Sequence, residues 1–362
     1  MNVFTYAKRV ALTAAITLLV LAAFYLLARH AHFFLLVFAG ILLAALFCGI
    51  TNWLQARLHV SRGLGLLISA FLVFGVLGGL FWLVAPRVSS QFDELGAAVP
   101  EGLGYLKERL GQYAWAKKLV AEIPVSVNGL MPAQKATLSR FIGIFSSTLD
   151  VLADLVVIIV TALFFASEPK LYTKGVVRLF PVRNRTRVME VLNKCYEALK
   201  MWLVGMLSAM TIVGVSTAIG YSLIGLPVPF ALAVIAFLLA FIPNIGPWLA
   251  GVPAVLIGLT VGPQMALYTV LVYGGVQLIE TYWITPIIFQ KTVDLPPALL
   301  LFFQVLLGTL AGALGLLLAA PILAVILVLV EELYVQDVLE KEPLDAAEER
   351  ASHKPVGKTK GV

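Results

Sequence analysis

Hydrophobic residues make up 60% of the 362-residue chain, charged residues make up 13%, and the mean hydropathy is +0.97. A soluble protein of this length needs a larger charged surface, so these values exclude a soluble multidomain protein and indicate a polytopic membrane protein. The net charge of +6 does not indicate nucleic-acid binding, because the Lys and Arg residues concentrate between apolar segments, where they determine topology.

Eight apolar segments are long enough to cross a bilayer, and from them we predict an all-α polytopic fold. The segments are residues 10–28, 33–50, 64–85, 148–167, 201–225, 229–261, 264–285 and 298–332. Segments 229–261 and 298–332 exceed the about 20 residues that one span needs, and both contain helix breakers. Each is therefore either a broken span or a re-entrant hairpin.

The basic residues predict that both termini are cytoplasmic. They divide the chain into three N-terminal transmembrane segments in 1–85, an external amphipathic region in 86–147, a transmembrane transport core in 148–340 and a tail in 341–362. The core contains a densely basic cytoplasmic loop, 168–200. The tail is polar and lacks periodicity, so we expect it to be disordered.

A cluster of helix breakers interrupts segment 229–261 at Pro243, Asn244, Gly246 and Pro247. Proline removes a backbone donor and glycine permits unusual dihedrals, so backbone polar groups are left free at membrane depth. Such groups persist only where they face protein or a water-filled path. Two half-helices that meet here would offer backbone groups to a solute; the alternative is a kink or hairpin tip without a ligand.

Four polar side chains, Tyr273, Gln277, Glu280 and Thr281, follow the spacing i, i+4, i+7, i+8 inside an apolar run. This spacing predicts one helical face, and the carboxylate predicts that the face points into the bundle. Glu280 would exchange a proton or bind a cation while Gln277 hydrogen-bonds a polar solute. Alternatively, Glu280 holds helices together as a protonated or hydrogen-bonded group.

Asp154 lies about one turn deeper in segment 148–167 than Asp150, so it is the better candidate of the two for a pathway or ion-binding role. Interfacial acids are energetically cheap, however, and this favours a solvated acid without a transport role. All four histidines lie outside the predicted segments, so we expect no metal site.

Segment 298–332 contains its own breakers, Gly308, Gly312, Gly315 and Pro321. The first two glycines form a Gly-x-x-x-Gly spacing, which permits close helix approach. The chain has no phosphate-binding loop, no His-Glu-x-x-His and no Gly-x-Ser-x-Gly, so we expect neither ATP-driven transport nor an enzyme, and no cofactor.

The second half carries an ordered series of motifs. These are Leu226-Pro227-Val228-Pro229, Ile242-Pro243-Asn244-Ile245-Gly246-Pro247, Gln277-Leu278-Ile279-Glu280, Pro286, Asp294-Leu295-Pro296-Pro297, and Gly308 to Gly315 followed by Ala320-Pro321. In order and spacing the series resembles the autoinducer-2 exporter-like (AI-2E) family of bacterial permeases. Many members carry Asn two residues after the Glu, where this chain has Tyr282, a departure that bears on ligand choice.

The resemblance implies a multi-pass protein of the bacterial inner membrane that exports signalling molecules, as in quorum sensing, or exchanges Na⁺ for H⁺. It also implies a homo-oligomer, with a pentamer as the suggested assembly. We predict a secondary transporter that exports a small polar molecule, with membrane lipid, the solute and H⁺ or Na⁺ as its partners and no nucleic acid. The alternatives are a Na⁺(Li⁺)/H⁺ antiporter and a non-transporting membrane scaffold.

Overall fold

The computed structural model describes residues 29–76, 148–289 and 295–339, together with isolated positions between 13 and 26 and between 78 and 104. In chain order the helices are α1 (Ala31–Leu58), α2 (Arg62–Val76), α3 (Thr148–Ser167), α4 (Pro169–Arg178), α5 (Arg185–Leu223), α6 (Pro229–Leu239), α7 (Gly246–Val261), α8 (Pro263–Ile279), α9 (Thr285–Phe289) and α10 (Pro297–Val330). Two π-helical turns, Glu280–Ile284 and Glu331–Leu339, follow α8 and α10. The predicted all-helical fold is confirmed for this part of the chain.

By length and composition, three stretches can cross a membrane: Ala31–Leu58, Val182–Leu223 and Pro297–Leu339. A fourth is added if Leu152–Ser167 and Pro169–Arg178, which are bent by 83° from each other, form one broken span. These counts hold for the described residues, so eight crossings and the cytoplasmic placement of the termini stay predictions. The predicted tail 341–362 and most of the predicted external region 86–147 lie outside the described residues.

Helices α1 and α3 pack closely because a glycine lies between them. A Cβ atom at Gly40 would stand 2.6 Å from the side chain of Thr161. Arg62, at the start of α2, donates to the carbonyls of Ala166 at 2.9 Å and Ser167 at 3.0 Å. The guanidinium thus satisfies carbonyls that the end of α3 leaves free, in addition to the topological role that the sequence predicts for it.

Helix α5 packs against most of the other helices that the structure describes. Its 39 residues extend about 58 Å, because the second half of the predicted basic loop 168–200 and the predicted span 201–225 form one continuous helix. Its first half and its second half bury different partners, and this difference positions the two broken segments.

The first of the broken segments is a hairpin made by α6, residues 240–245 and α7, which we call the first hairpin. Ala231 of α6 and Ile257 of α7 share one buried cluster, so the two arms run side by side. At 11 and 16 residues, the arms extend about 17 and 24 Å and are shorter than the about 30 Å of a hydrocarbon core. The segment is therefore a helical hairpin with short arms, and its re-entry from one side of the membrane stays a prediction.

The second broken segment also reverses. Inside α10, Ala311 and Gly312 have non-helical dihedrals, and the positive φ of 62° at Gly312 favours glycine. A Cβ at Gly315 would collide with the backbone of Leu307, whereas eight residues of straight helix would separate these positions by about 12 Å. Residues 297–310 and 313–330 are thus two antiparallel arms, which we call the second hairpin.

The two hairpins enter from opposite ends of α5. Val328, near the end of the second hairpin, packs with Val191 in the first part of α5. Ala231, near the start of the first hairpin, packs with Tyr221 at the end of α5. The tips point towards the middle of α5, where the ring of Phe241 meets Trp202 edge to face at a centroid distance of 5.7 Å.

Four of the predicted breakers lie within helices rather than at breaks: Pro286, Gly308, Gly315 and Pro321. Pro321 is buried inside the second arm, which stays helical around it; burial on all sides holds the helix although the proline removes one backbone donor. Gly308 and Gly315 lie within the arms, where Gly315 allows them to approach. Pro286 is the second residue of α9, two residues past the end of the π-helical turn.

Candidate functional site

The tip of the first hairpin is fixed by side chains from two neighbouring elements. The reversal places Asn244 at φ 66°, a left-handed conformation that asparagine tolerates better than most residues. Gly246 follows, where a Cβ would collide with the Leu239 carbonyl. Pro247 occupies the first turn of α7, where its missing N–H costs nothing. These residue types explain why the chain turns here and why the carbonyls of Pro243 and Pro247 lie on the two sides of the turn.

Tyr273 of α8 satisfies one of these carbonyls. Its hydroxyl donates to the oxygen of Pro247 at 2.9 Å. The ring is 8% exposed and lies against Gly251 of α7, where a Cβ would stand 3.0 Å from the ring. The structure therefore brings the predicted polar stripe and the predicted break together through this one hydrogen bond.

Gln304 satisfies a second carbonyl and was not predicted as a site residue. It lies on the first arm of the second hairpin and its side-chain amide nitrogen donates to the oxygen of Pro243 at 2.8 Å. The side chain is fully buried. A single polar residue in an otherwise apolar segment is the signal that points to such a position, since lipid disfavours it. The tip is thus held by α8 on one side and by the second hairpin on the other.

Glu280 stands at the start of the π-helical turn, and this turn selects its partners. A π-helix places residues i and i+5 over one another, and Thr285, five residues on, donates its hydroxyl to Glu280 Oε1 at 2.8 Å. Thr281 donates to Oε2 at 3.3 Å. Among the described residues no Lys, Arg or His stands within salt-bridge distance of this partly buried carboxylate.

The predicted face is only partly continuous. Gln277 is partly buried and neighbours the hydroxyl of Tyr273. Thr281 is exposed, because the extra residue in the π-helical turn rotates the following positions away from an α-helical register. The single face predicted for all four residues therefore ends at Glu280, and the carboxylate accepts from both Thr281 and Thr285.

Asp154 is placed elsewhere. It lies on α3, which packs against α1, and both of its oxygens stand 3.1 Å from Nε2 of His32. His32 is in the first turn of α1, which corrects the expectation that every histidine lies outside the spans, because the helix begins two residues before the predicted segment. Both side chains are substantially exposed, at 56% for His32 and 35% for Asp154.

A cluster of charged side chains joins the first part of α5 to the segment that follows the second hairpin. Glu332 has a 7% exposed side chain and accepts from Lys194 Nζ at 2.6 Å and from Arg187 at 3.0 Å. Arg187 also pairs with Asp337 at 3.1 Å. The sequence predicts these basic residues as topology determinants, and the structure shows that they also hold the end of the second hairpin against α5.

Comparison with known proteins identifies a transporter family. The sequence pattern of a family described as AI-2E family transporter matches residues 14–335. Two proteins of Bacillus subtilis strain 168, YueF and YrrI, are 24% and 25% identical over 305 and 301 residues. These alignments cover 81% of this chain and 82% of YueF, and 82% of this chain and 85% of YrrI. Both are named as candidate transport proteins, as is MT0215 of Mycobacterium tuberculosis, which is 26% identical over 80% of this chain and 79% of its own.

Proposed function

This chain belongs to the AI-2E family of transporters, and from that premise we propose that it exports a small polar molecule across the bacterial inner membrane as a secondary transporter. Family membership and the named relatives support a transporter. The substrate class, the direction and the membrane are our proposal, as are assembly into a homo-oligomer and contact with membrane lipid. We propose that the solute passes at the contact between the tip of the first hairpin, the second hairpin and α8.

The observation that carries this proposal is the pair of hydrogen bonds at the hairpin tip. Tyr273 and Gln304, from two different elements, each donate to a carbonyl of the Pro243–Pro247 break. Hairpins that enter from opposite ends and meet at an unwound backbone resemble the discontinuous helices at transporter substrate sites. Irregular backbone at membrane depth is tolerated where protein or a water-filled cavity satisfies it.

Each residue has a proposed task. Tyr273 and Gln304 hold the tip in place, whereas Gln277 and Asn244 offer amide groups to the solute. Glu280 is the ionisable group of the path, and the hydroxyls of Thr281 and Thr285 orient it. An ionisable residue within an apolar segment usually marks a pathway, because burying a charge without a function is costly.

The test is efflux of a labelled polar solute from proteoliposomes that contain Glu280→Gln or Gln277→Ala. We expect both variants to lose most of the efflux at equal reconstitution. Glu168→Gln and Gln264→Ala are matched controls, because both side chains are exposed and lie at helix ends; they should retain wild-type efflux. Unchanged efflux in Glu280→Gln and Gln277→Ala would contradict the site assignment.

A Na⁺(Li⁺)/H⁺ antiporter is the second candidate function, and the neutral environment of Glu280 supports it. The partners that the structure gives this carboxylate are neutral hydroxyls, so it can change its protonation state without breaking an ion pair. Inverted membrane vesicles distinguish the two functions. Dissipation of a pH gradient on addition of sodium would favour the antiporter, and solute efflux without such dissipation would reject it.

A further inference from the structure

We propose that Gln304 is a solute-binding residue, and that its side-chain oxygen accepts a hydrogen bond from a hydroxyl or amino group of an uncharged solute. This inference rests on the proposed transport function and deepens it by naming the chemistry that the solute must carry. It assigns to the second hairpin a part in recognition that neither the sequence pattern nor the family match provides.

The orientation of the Gln304 amide follows from its partner. A backbone carbonyl can only accept, so the group of Gln304 that stands 2.8 Å from the Pro243 oxygen must be the NH₂. The amide oxygen therefore faces away from Pro243. That oxygen is buried and has no hydrogen-bond partner among the described residues.

A buried acceptor without a donor is energetically costly, and native proteins contain few of them. At most positions in this fold the cost is avoided: Thr217 and Thr269, which are equally buried, donate to carbonyls of their own helices. The Gln304 amide nitrogen instead donates to the Pro243 carbonyl at the hairpin tip, and its amide oxygen has no donor among the described residues. Polar groups left free at such a contact are what a solute site requires.

The surroundings select a donor-bearing neutral solute over an ion. Pro243 oxygen already accepts from Gln304 and from the backbone N–H of Ile245, both at 2.8 Å, and Pro247 oxygen accepts from Tyr273. The partners that the structure records at these two carbonyls are neutral: the Gln304 amide, the backbone N–H of Ile245 and the Tyr273 hydroxyl. A site that hydrogen-bonds a substrate hydroxyl discriminates strongly against the analogue that lacks it.

The experiment compares efflux of D-ribose with efflux of its 2-, 3- and 5-deoxy analogues from proteoliposomes that contain the full chain. We expect the wild type to release D-ribose about tenfold faster than the analogue that lacks the recognised hydroxyl. Gln304→Met should abolish this preference, because methionine has a similar shape but cannot accept. Gln264→Met makes the same chemical change at an exposed position and should retain the preference.

The ratio between solutes separates recognition from support of the hairpin tip. If Gln304 only holds Pro243, Gln304→Met slows all four solutes equally and the ratio stays at the wild-type value, which would overturn the inference. Equal release of all four solutes by the wild type would also overturn it. If the wild type releases none of them above protein-free vesicles, the proposed export function fails and this inference fails with it. In Gln304→Glu, which keeps an acceptor, we expect the preference to be partly restored.

Discussion

The hydroxyl of Tyr273 donates a hydrogen bond to the carbonyl oxygen of Pro247 across 2.9 Å. This bond joins α8, the helix that leads into the turn carrying Glu280, to the tip of the first hairpin. Because Gln304 makes the equivalent bond to Pro243 from the opposite side, the position of the tip depends on two polar contacts embedded in apolar packing.

Removing the Tyr273 hydroxyl tests the first of these contacts. Tyr273→Phe keeps the ring packed on Gly251 but removes the hydrogen bond to the Pro247 carbonyl, so the free energy of unfolding should fall by about 1 kcal/mol. Solute efflux should fall several-fold as the tip loosens. Thermal unfolding and proteoliposome efflux measure the two effects. Tyr268→Phe is the matched control, since that exposed hydroxyl bonds only Gln264; equal behaviour of both variants would contradict the role of Tyr273.

Thr285→Val tests whether the π-helical turn serves Glu280. Valine keeps the shape of threonine but removes the hydroxyl that donates to Oε1 at 2.8 Å. We expect a partial loss of efflux, smaller than the loss in Glu280→Gln, and no additional loss when the two changes are combined. Thr211→Val is the control, because Thr211 donates only to its own helix. Additive losses in the double variant would show that Thr285 acts independently of Glu280.

The reversal in the second hairpin makes Gly315 intolerant of a side chain. Gly315→Ala would force a Cβ into the Leu307 backbone, and we expect a loss of about 1–3 kcal/mol of stability. Gly308→Ala is the control within the same hairpin, because its nearest neighbour beyond its own helix is the flexible end of Leu316, 3.8 Å away. Thermal unfolding should separate the two variants. If Gly315→Ala were as stable as wild type, the two arms would not pack as described.

Glu332 is expected to stabilise the end of the second hairpin. Glu332→Gln removes the charge that pairs with Lys194 and Arg187 and leaves both cations in place. Since Lys194 is half exposed, water compensates part of the loss, and we expect about 2 kcal/mol of destabilisation. Glu190→Gln, at a 56% exposed position that also contacts Arg187, should cost less than about 0.5 kcal/mol. Comparable melting temperatures for both variants would refute a stabilising role for Glu332.

The sequence predicts the helical class and the position of the first tip, because prolines and glycines in an apolar segment act locally and their effect needs no knowledge of the fold. Gly312 is a similar case, since its left-handed conformation coincides with the reversal. Whether such a break is a kink or a hairpin depends on packing between the arms, and the sequence pattern leaves this open.

The sequence does not predict which residues far apart in the chain contact each other. Gln304 lies 61 residues from Pro243, and Glu332 lies 138 residues from Lys194. No periodicity relates such positions. The sequence pattern therefore does not indicate that Gln304 contacts Pro243, or that Lys194 and Arg187 contact Glu332. The π-helical turn at Glu280 was also unpredictable from spacing, because it changes the register on which the spacing argument depends.

Labelling of Asn244→Cys by a membrane-impermeant maleimide tests the central claim most directly, in a protein whose buried Cys48 and Cys195 are replaced by alanine. Asn244 is exposed at the hairpin tip, whereas Leu238→Cys, on the 57% exposed apolar surface of α6, is the control. If the tip lines a water-filled solute path, position 244 is labelled, position 238 is not, and labelling at 244 blocks efflux. An unlabelled position 244, or full efflux after complete labelling, would contradict a transport path at the Pro243–Pro247 break.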